Sequence, residues 1–136
     1  MRATIRRSIG VVAVVAAVVL SVPGVAQAGL ATVPLSLAAT AGNTQVNLTW
    51  VAPASNGGEN ISDYIVEYSP NAGTTWHTVI RTASTTLSYN VTGLTNATSH
   101  QFRVSAKNGS GTGPASAIVI ATPFVVHVAN DAATYS

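Results

Sequence analysis

Alternating apolar and polar side chains in three segments constrain the fold of this chain more than any other feature. Residues 44–50 are apolar at every second position, and residues 62–69 and 99–108 repeat the pattern. Successive side chains of an extended strand point to opposite faces, so each segment predicts a strand with one face in a hydrophobic core. Four further segments have a weaker alternating pattern but the same β-favouring composition: 35–40, 75–81, 86–92 and 117–122. The sequence therefore predicts seven strands, and no segment after residue 30 has a helical pattern.

Glycine, proline and asparagine separate these predicted strands at short intervals. Residues 53–58 (PASNGG) form a predicted loop, and residues 70–73 (PNAG) form a tight turn in which Gly73 can adopt a positive φ. Residues 109–114 (GSGTGP) are predicted to be a mobile last loop. Pro123 ends the last strand because proline has no N–H to donate. Many short strands at this spacing are typical of an all-β sandwich or barrel.

The first 28 residues have the composition of an export signal. Three arginines precede an apolar stretch over residues 9–20, and small residues follow at Ala26 and Ala28. We predict that residues 1–28 are a signal peptide that is cleaved on the general secretory route. An uncleaved membrane anchor is the alternative, although twelve helical residues would span only about 18 Å of a hydrocarbon core about 30 Å thick.

Removal of this segment changes the charge of the chain. The full sequence has a formal net charge of +2, but residues 29–136 contain only three cations against four carboxylates. Nucleic-acid binding needs lysine and arginine clustered on one face to neutralise phosphates, so we expect no such partner. The chain also contains no cysteine, and its hydrophobic core is therefore expected to hold the domain without disulfides.

No group of residues has the spacing of a catalytic or metal site. Asp63 and Glu67 share one face of a predicted strand, but about 13 Å separates them, more than the roughly 5–9.5 Å between glycosidase carboxylates. We expect both to be solvated charges. His77, His100 and His127 follow no known metal-ligand spacing. The sequence therefore predicts no catalytic residue, no metal site and no cofactor.

A set of spaced apolar residues, glycines and prolines runs through most of the chain beyond the predicted signal. In order, these are Trp50, Pro53, Gly57, Gly58, Ile61, Tyr64, Val66, Tyr68, Gly93, Leu94, Phe102, Arg103, Val104, Asn108, Gly111, Gly113 and Pro114. The set resembles fibronectin type III domains, particularly the kind that bacteria secrete. The resemblance covers roughly residues 33–123.

This resemblance implies an immunoglobulin-like, seven-stranded antiparallel β-sandwich over residues 29–123. Its first, second and fifth strands would form one sheet, and the other four would face it. Trp50 would lie between the sheets, and Leu94 at the turn before the sixth strand. The family usually has a tyrosine six residues after that leucine, bonded to the backbone of the preceding turn. Here the position is His100, which can donate one hydrogen bond, so we expect a weaker corner.

Two surfaces are candidates for binding a partner. The first is a pair of loops that contains Asn56, Gly57, Gly58, Glu59, Asn60, Asn108, Gly109, Ser110 and Gly111. The alternative is that these loops are only solvated connections. The second surface is the tail, residues 124–136, whose β-prone start (FVVHV) suits pairing with a sheet edge in its own molecule or another. Such pairing would give weak self-association, and we expect the last eight residues to be disordered.

Together these features predict a secreted, non-catalytic interaction module that binds a protein or polysaccharide at or outside the cell surface. No membrane contact is expected once the signal is cleaved. The resemblance offers an alternative, an accessory to extracellular polysaccharide-degrading enzymes, because such domains in bacteria often accompany glycoside hydrolases. A structural spacer is a third possibility. Exposed aromatic side chains would favour sugar binding, and only Trp76 and Tyr135 qualify.

Overall fold

The computed structural model describes residues 28–127, so the predicted signal up to residue 27 and the tail from residue 128 lie outside the described residues. Within that range the chain is all-β and contains no helix. Its strands are β1 (Leu35–Gly42), β2 (Gln45–Val51), β3 (Asp63–Ser69), β4 (His77–Thr78), β5 (Ser88–Thr92), β6 (His100–Asn108), β7 (Gly111–Ala115) and β8 (Val119–Ala121).

The strands form two antiparallel sheets that face each other. One sheet has the order β1-β2-β5, and the other has the order β4-β3-β6 with β7 and β8 both paired to β6. The first, second and fifth strands therefore lie in one sheet and the remainder in the other, as the resemblance implied. The architecture is an immunoglobulin-like sandwich.

The predicted last strand, residues 117–122, contains β8, and an additional strand, β7, precedes it, which raises the number of strands from the predicted seven to eight. Ser116 lies between β7 and β8: the Val104 N–H donates to the Ser116 hydroxyl at 3.0 Å, and the Ser116 N–H donates to the Val104 carbonyl at 2.8 Å. A side-chain oxygen thus replaces one backbone acceptor of the ladder. The prediction of a mobile loop over residues 109–114 is wrong, because residues 111–114 belong to β7.

The core lies between the sheets and is built from the predicted inward-facing side chains. Trp50 is only 4% exposed, and its ring meets Tyr64 edge-on with 5.4 Å between ring centroids. Phe102 and Leu94 are buried beside them. Burying a side chain such as Phe102 stabilises the fold by about 1.5–3 kcal/mol. The Trp50 indole N–H is buried without a hydrogen-bond partner, so Trp50 contributes through packing alone.

His100 is the first residue of β6, at the corner where that strand begins, and is buried. Its Nδ1 lies 2.8 Å from the Thr98 carbonyl oxygen, so the imidazole makes the kind of backbone contact that the family's tyrosine usually makes. At the same end of the sandwich, the Ala97 N–H donates to the Pro123 carbonyl and the Phe124 N–H donates to the Gly42 carbonyl. The tail therefore leaves the domain beside the end of β1.

Both carboxylates on β3 are paired, and the expectation that they are simply solvated is wrong. Asp63 Oδ1 lies 3.0 Å from Arg81 Nη2 and also accepts the Ser84 N–H at 3.0 Å. Glu67 Oε2 lies 2.7 Å from Arg103 Nε. The first pair is largely buried and fixes the segment between β4 and β5 on the edge of β3, because Arg81 and Ser84 both belong to that segment.

Candidate functional site

The two predicted binding loops meet at one end of the sandwich. Asn108 Nδ2 donates to the Asn56 carbonyl at 2.8 Å, and the Ser110 hydroxyl donates to Glu59 Oε2 at 3.2 Å. These contacts join residues about fifty positions apart in the sequence. The structure therefore brings the two groups of candidate residues together, although it does not place all of them on the surface.

Asn108 is a structural residue of this end and not an exposed loop residue. It is the last residue of β6 and is only 2% exposed. Its Nδ2 donates to the carbonyls of Gly29 and Asn56, and its Oδ1 accepts the Ser110 N–H at 3.0 Å. Because both donors and one acceptor site of this buried amide are used, Asn108 fastens three chain segments to one another.

Residues 29–32, here called the N-terminal strap, cover part of the same end. The Gly29 N–H donates to the Gly57 carbonyl at 2.7 Å, and the Thr32 N–H donates to the Ser55 carbonyl at 2.9 Å. Ala31 is buried in the core cluster. Sequence reasoning missed the strap because it has no alternating pattern and lies between the predicted signal and the first predicted strand.

Two glycines make room for the strap. Gly57 has a φ of +75°, and a Cβ atom there would lie 2.1 Å from the Gly29 carbonyl oxygen. A Cβ atom on Gly113 would lie 2.2 Å from the Ala31 carbonyl oxygen. Both distances are far below van der Waals contact. The glycines therefore admit the chain's own backbone, and the pair Gly57 and Gly113 was the signal in the sequence that could have revealed the strap.

The exposed remainder of the two loops is a polar surface, here called the loop rim. Its members are Asn56, Gly58, Asn60, Gly109 and Ser110, with the half-buried Glu59 between them. A Cβ atom on Gly109 would lie 2.7 Å from Glu59 Oε2, so the carboxylate packs directly against the second loop. Gly111 begins β7 and is half-buried. The rim offers amide, hydroxyl and carboxylate groups and no aromatic ring.

Trp76 lies on the outer face of the sheet that contains β3 and β6 and is half-buried. The guanidinium carbon of Arg103 lies 4.0 Å from the centroid of its indole ring, and Arg103 is also paired with Glu67. This cation–π contact covers one face of the indole. Trp76 therefore does not present two open ring faces for a sugar, and Tyr135 lies outside the described residues.

The histidine and acidic side chains of residues 28–127 lie on several different strands and loops. In this range no three His, Cys, Asp or Glu side chains are grouped so that they could hold a metal ion. Burial raises the pKa of the Tyr64 hydroxyl above its usual value, which favours the neutral phenol. The described residues also include no helix with the length and apolar character needed to cross a membrane.

A groove of about 310 Å³ lies at the opposite side of the molecule from β1, where the edges of β4 and β5 face each other. We call it the edge groove. Sequence reasoning did not find it, because its residues read as ordinary strand residues. Its lining includes Tyr68, Val79, Ile80, Tyr89, Val91 and Thr92.

Comparison with known proteins places this architecture in a family. The chain is 40% identical over 68 residues to titin of Drosophila melanogaster and 36% identical over 72 residues to protein sax-3 of Caenorhabditis elegans. These matches cover 50% and 52% of this chain. They cover only 6% of sax-3 and a share of titin that rounds to 0%.

A solved structure and a family model agree with these relatives. The crystal structure of titin domains A168–A170 matches with a TM-score of 0.66 and 32% identity, covering 71% of this chain and 33% of that one. The model of the fibronectin type III domain matches residues 32–122, which is more than half of the chain. The chain belongs to the fibronectin type III family.

Proposed function

We propose that this protein is a secreted, non-catalytic interaction module and that its loop rim binds a protein or polysaccharide at or outside the cell surface. The observation that carries the proposal is the joining of two loops, distant in sequence, by the buried Asn108 amide and by the contact between Ser110 and Glu59. A surface whose backbone is already fixed loses less conformational entropy when a partner binds.

The chemistry of the rim supports a polar partner. Asn56, Asn60 and Ser110 expose amide and hydroxyl groups, and Glu59 is the one carboxylate among the rim residues. Such groups suit hydrogen bonding to the hydroxyls of a polysaccharide or to the backbone of a protein. The rim has no arginine or lysine, so an anionic polymer is a poor match.

Binding is tested by incubating the purified protein with insoluble cellulose, chitin and xylan and with immobilised collagen, and measuring its depletion from solution. The variant Asn60→Arg places a bulky cation on the rim, whereas Asn90→Arg makes the same change on the exposed face of β5. We expect depletion by one class of ligand, at least tenfold weaker for Asn60→Arg and unchanged for Asn90→Arg. Equal loss in both variants, or no depletion by any ligand, would contradict the rim assignment.

The same experiment separates the candidate functions. Depletion by a polysaccharide would favour the accessory role beside polysaccharide-degrading enzymes, and depletion by collagen would favour protein binding. Export is tested separately by expressing the full chain and sequencing the N-terminus of the product in the medium. We expect it to begin at Gly29. Retention of the whole chain in the cells would contradict secretion without bearing on the rim.

A further inference from the structure

At the edge groove, the backbone groups of the two sheets are only partly paired. Strand β4 has only two residues, and the next residue adds one further backbone bond, from the Val79 N–H to the Val66 carbonyl. Among the described residues, β5 pairs only with β2. The other edge of β5 therefore presents backbone N–H and C=O groups that no described strand covers. An extended segment can pair with such an edge.

One apolar side chain at this edge is almost fully exposed to solvent. Ile80 lines the groove and is 98% exposed, more than any other large hydrophobic residue of the described chain. Its neighbours in the lining are aromatic, aliphatic or threonine side chains, and none carries a charge at neutral pH. The groove is therefore compatible with an extended, uncharged segment that has an apolar side chain to pack against Ile80.

The start of the tail has these properties. Phe124 and Val125 are each about half exposed, and Val126 is more exposed still. No residue from 122 to 130 is acidic, lysine or arginine, and the segment is rich in β-branched and aromatic residues. Three consecutive exposed apolar side chains favour pairing with another surface.

The position of Phe124 directs this segment away from its own groove. The Phe124 N–H donates to Gly42 at the end of β1, and the sheet order β1-β2-β5 places β1 and β5 at opposite edges. Gly42 pairs with Gln45, which pairs with Thr92 at the groove, so two strand spacings, about 10 Å, separate the two edges. While Phe124 is bound to Gly42, the next two residues extend the chain by only about 7 Å, so residues 124–126 do not reach the groove of their own molecule.

We propose that the edge groove binds residues 124–126 of a second copy of this chain, which adds a strand beside β5 and packs its apolar side chains against Ile80. The protein then self-associates through its tail. Two reciprocal contacts related by a two-fold axis would close a dimer. This inference does not depend on the loop rim, because the rim lies at a different end of the sandwich.

Disulfide trapping tests the contact directly, since the natural chain has no cysteine. Full-length Ile80→Cys and Val126→Cys proteins are mixed, oxidised and separated without reductant. We expect a mixed dimer linked through positions 80 and 126. The matched control replaces Ile80→Cys by Ile120→Cys, because Ile120 is also an exposed isoleucine (64%) but lies on β8. We expect at least tenfold less mixed dimer with the control.

Sedimentation over a range of concentrations provides a second measurement. Ile80→Asp and Val126→Asp should each weaken self-association at least tenfold, and Ile120→Asp should leave it unchanged. The melting temperature of Ile80→Asp should equal that of the natural chain at a concentration where both are monomeric, because the side chain is almost fully exposed. This control separates loss of contact from loss of folding.

Three results would overturn the inference. One is a monomeric protein at every concentration tested. Another is equal trapping at positions 80 and 120. The third is a disulfide that forms within single molecules of the double variant Ile80→Cys/Val126→Cys at high dilution, because the tail would then occupy its own groove.

Discussion

The end of the sandwich that carries the loop rim, here called the loop end, differs from the edge groove in whether its backbone N–H and C=O groups have hydrogen-bond partners. At the loop end, the strap bonds to Ser55 and Gly57, and the Asn108 amide satisfies two further carbonyls. At the edge groove, β5 leaves one of its edges without a described partner, and Ile80 is almost fully exposed. One region is closed by the chain itself, and the other is open to a second chain.

This difference shows that composition alone is a poor guide to which surface is free. The glycine-rich loops have the composition of mobile, accessible segments, yet Gly57 and Gly113 receive the strap at very short range. The residues of the edge groove have the composition of a core, yet they line an open surface. Glycine can allow flexibility or close packing, and only the identity of the neighbouring segment decides between them.

The largest expected effect comes from closing the space that the strap occupies. Gly57→Ala and Gly93→Ala both place a side chain at a φ near +75°, but the Cβ atom at position 93 meets nothing within 4 Å. We expect Gly93→Ala to lower the free energy of unfolding by about 1 kcal/mol, the cost of the strained backbone. Gly57→Ala should cost about 2 kcal/mol more because it also displaces the strap. Urea unfolding measures both.

Equal costs for the two alanine variants would show that the strap contributes nothing to stability. Hydrogen exchange gives a second measurement on the same proteins. The Thr32 amide should exchange faster in Gly57→Ala than in Gly93→Ala, because its bond to Ser55 would be lost with the strap.

The next largest effect concerns the amide that joins the three segments. Asn108→Ala should lower the free energy of unfolding by about 2 kcal/mol, since it leaves the Gly29 and Asn56 carbonyls without their donor. Asn90→Ala removes an exposed amide that bonds only to the Gln45 side chain and should cost less than about 0.5 kcal/mol. Similar costs for both variants in urea unfolding would contradict the role assigned to Asn108.

A smaller change in stability is expected from substituting His100, which lies at the end of the sandwich where the tail leaves the domain. His100→Tyr should stabilise the corner by about 1 kcal/mol, which raises the melting temperature by about 4–8 °C, because a phenol buries more surface. His100→Phe retains the ring without a hydroxyl and should give a smaller gain. A lower melting temperature for His100→Tyr than for the natural chain in calorimetry would refute the assignment of this corner.

The smallest effect appears only in alkali. Burial raises the pKa of Tyr64, so above about pH 10 the unfolded chain loses this proton before the folded one, and stability falls as the pH rises further. Below about pH 10 the contribution is fully present. Tyr64→Phe should make the decline above about pH 10 shallower in urea unfolding. An identical decline in both proteins would show that the Tyr64 hydroxyl is not responsible.

The sequence predicted the sandwich because its strongest strands lie in the core. Val46, Leu48 and Trp50 alternate with exposed residues, and that pattern determines both strand and inward face. The separation of β7 from β8 could not be predicted in the same way, since it depends on a bond between Ser116 and Val104, which are twelve positions apart. The ion pairs of β3 were missed for a similar reason, because Arg81 reaches Asp63 from another segment.

The candidate site was predicted in part. The two loops do meet, as family topology implied, but burial of Asn108 and the covering of Gly57 depend on residues 29–32, which show no periodic pattern. The edge groove exists because the edges of β4 and β5 lie apart, and the pattern of residues within either strand does not predict that separation. Such features arise from contacts between distant segments, so they need the structure.

The bond from Asn108 to Gly29 bridges 79 positions of the chain, and this has a consequence for the timing of folding. Synthesis delivers the glycine early and the asparagine only after most of the domain has been made. The first residues of the domain must therefore wait without their final partner until the sixth strand has been made. During that interval Gly29 and its neighbours lack this bond, which leaves that part of the growing polypeptide more accessible to proteolysis.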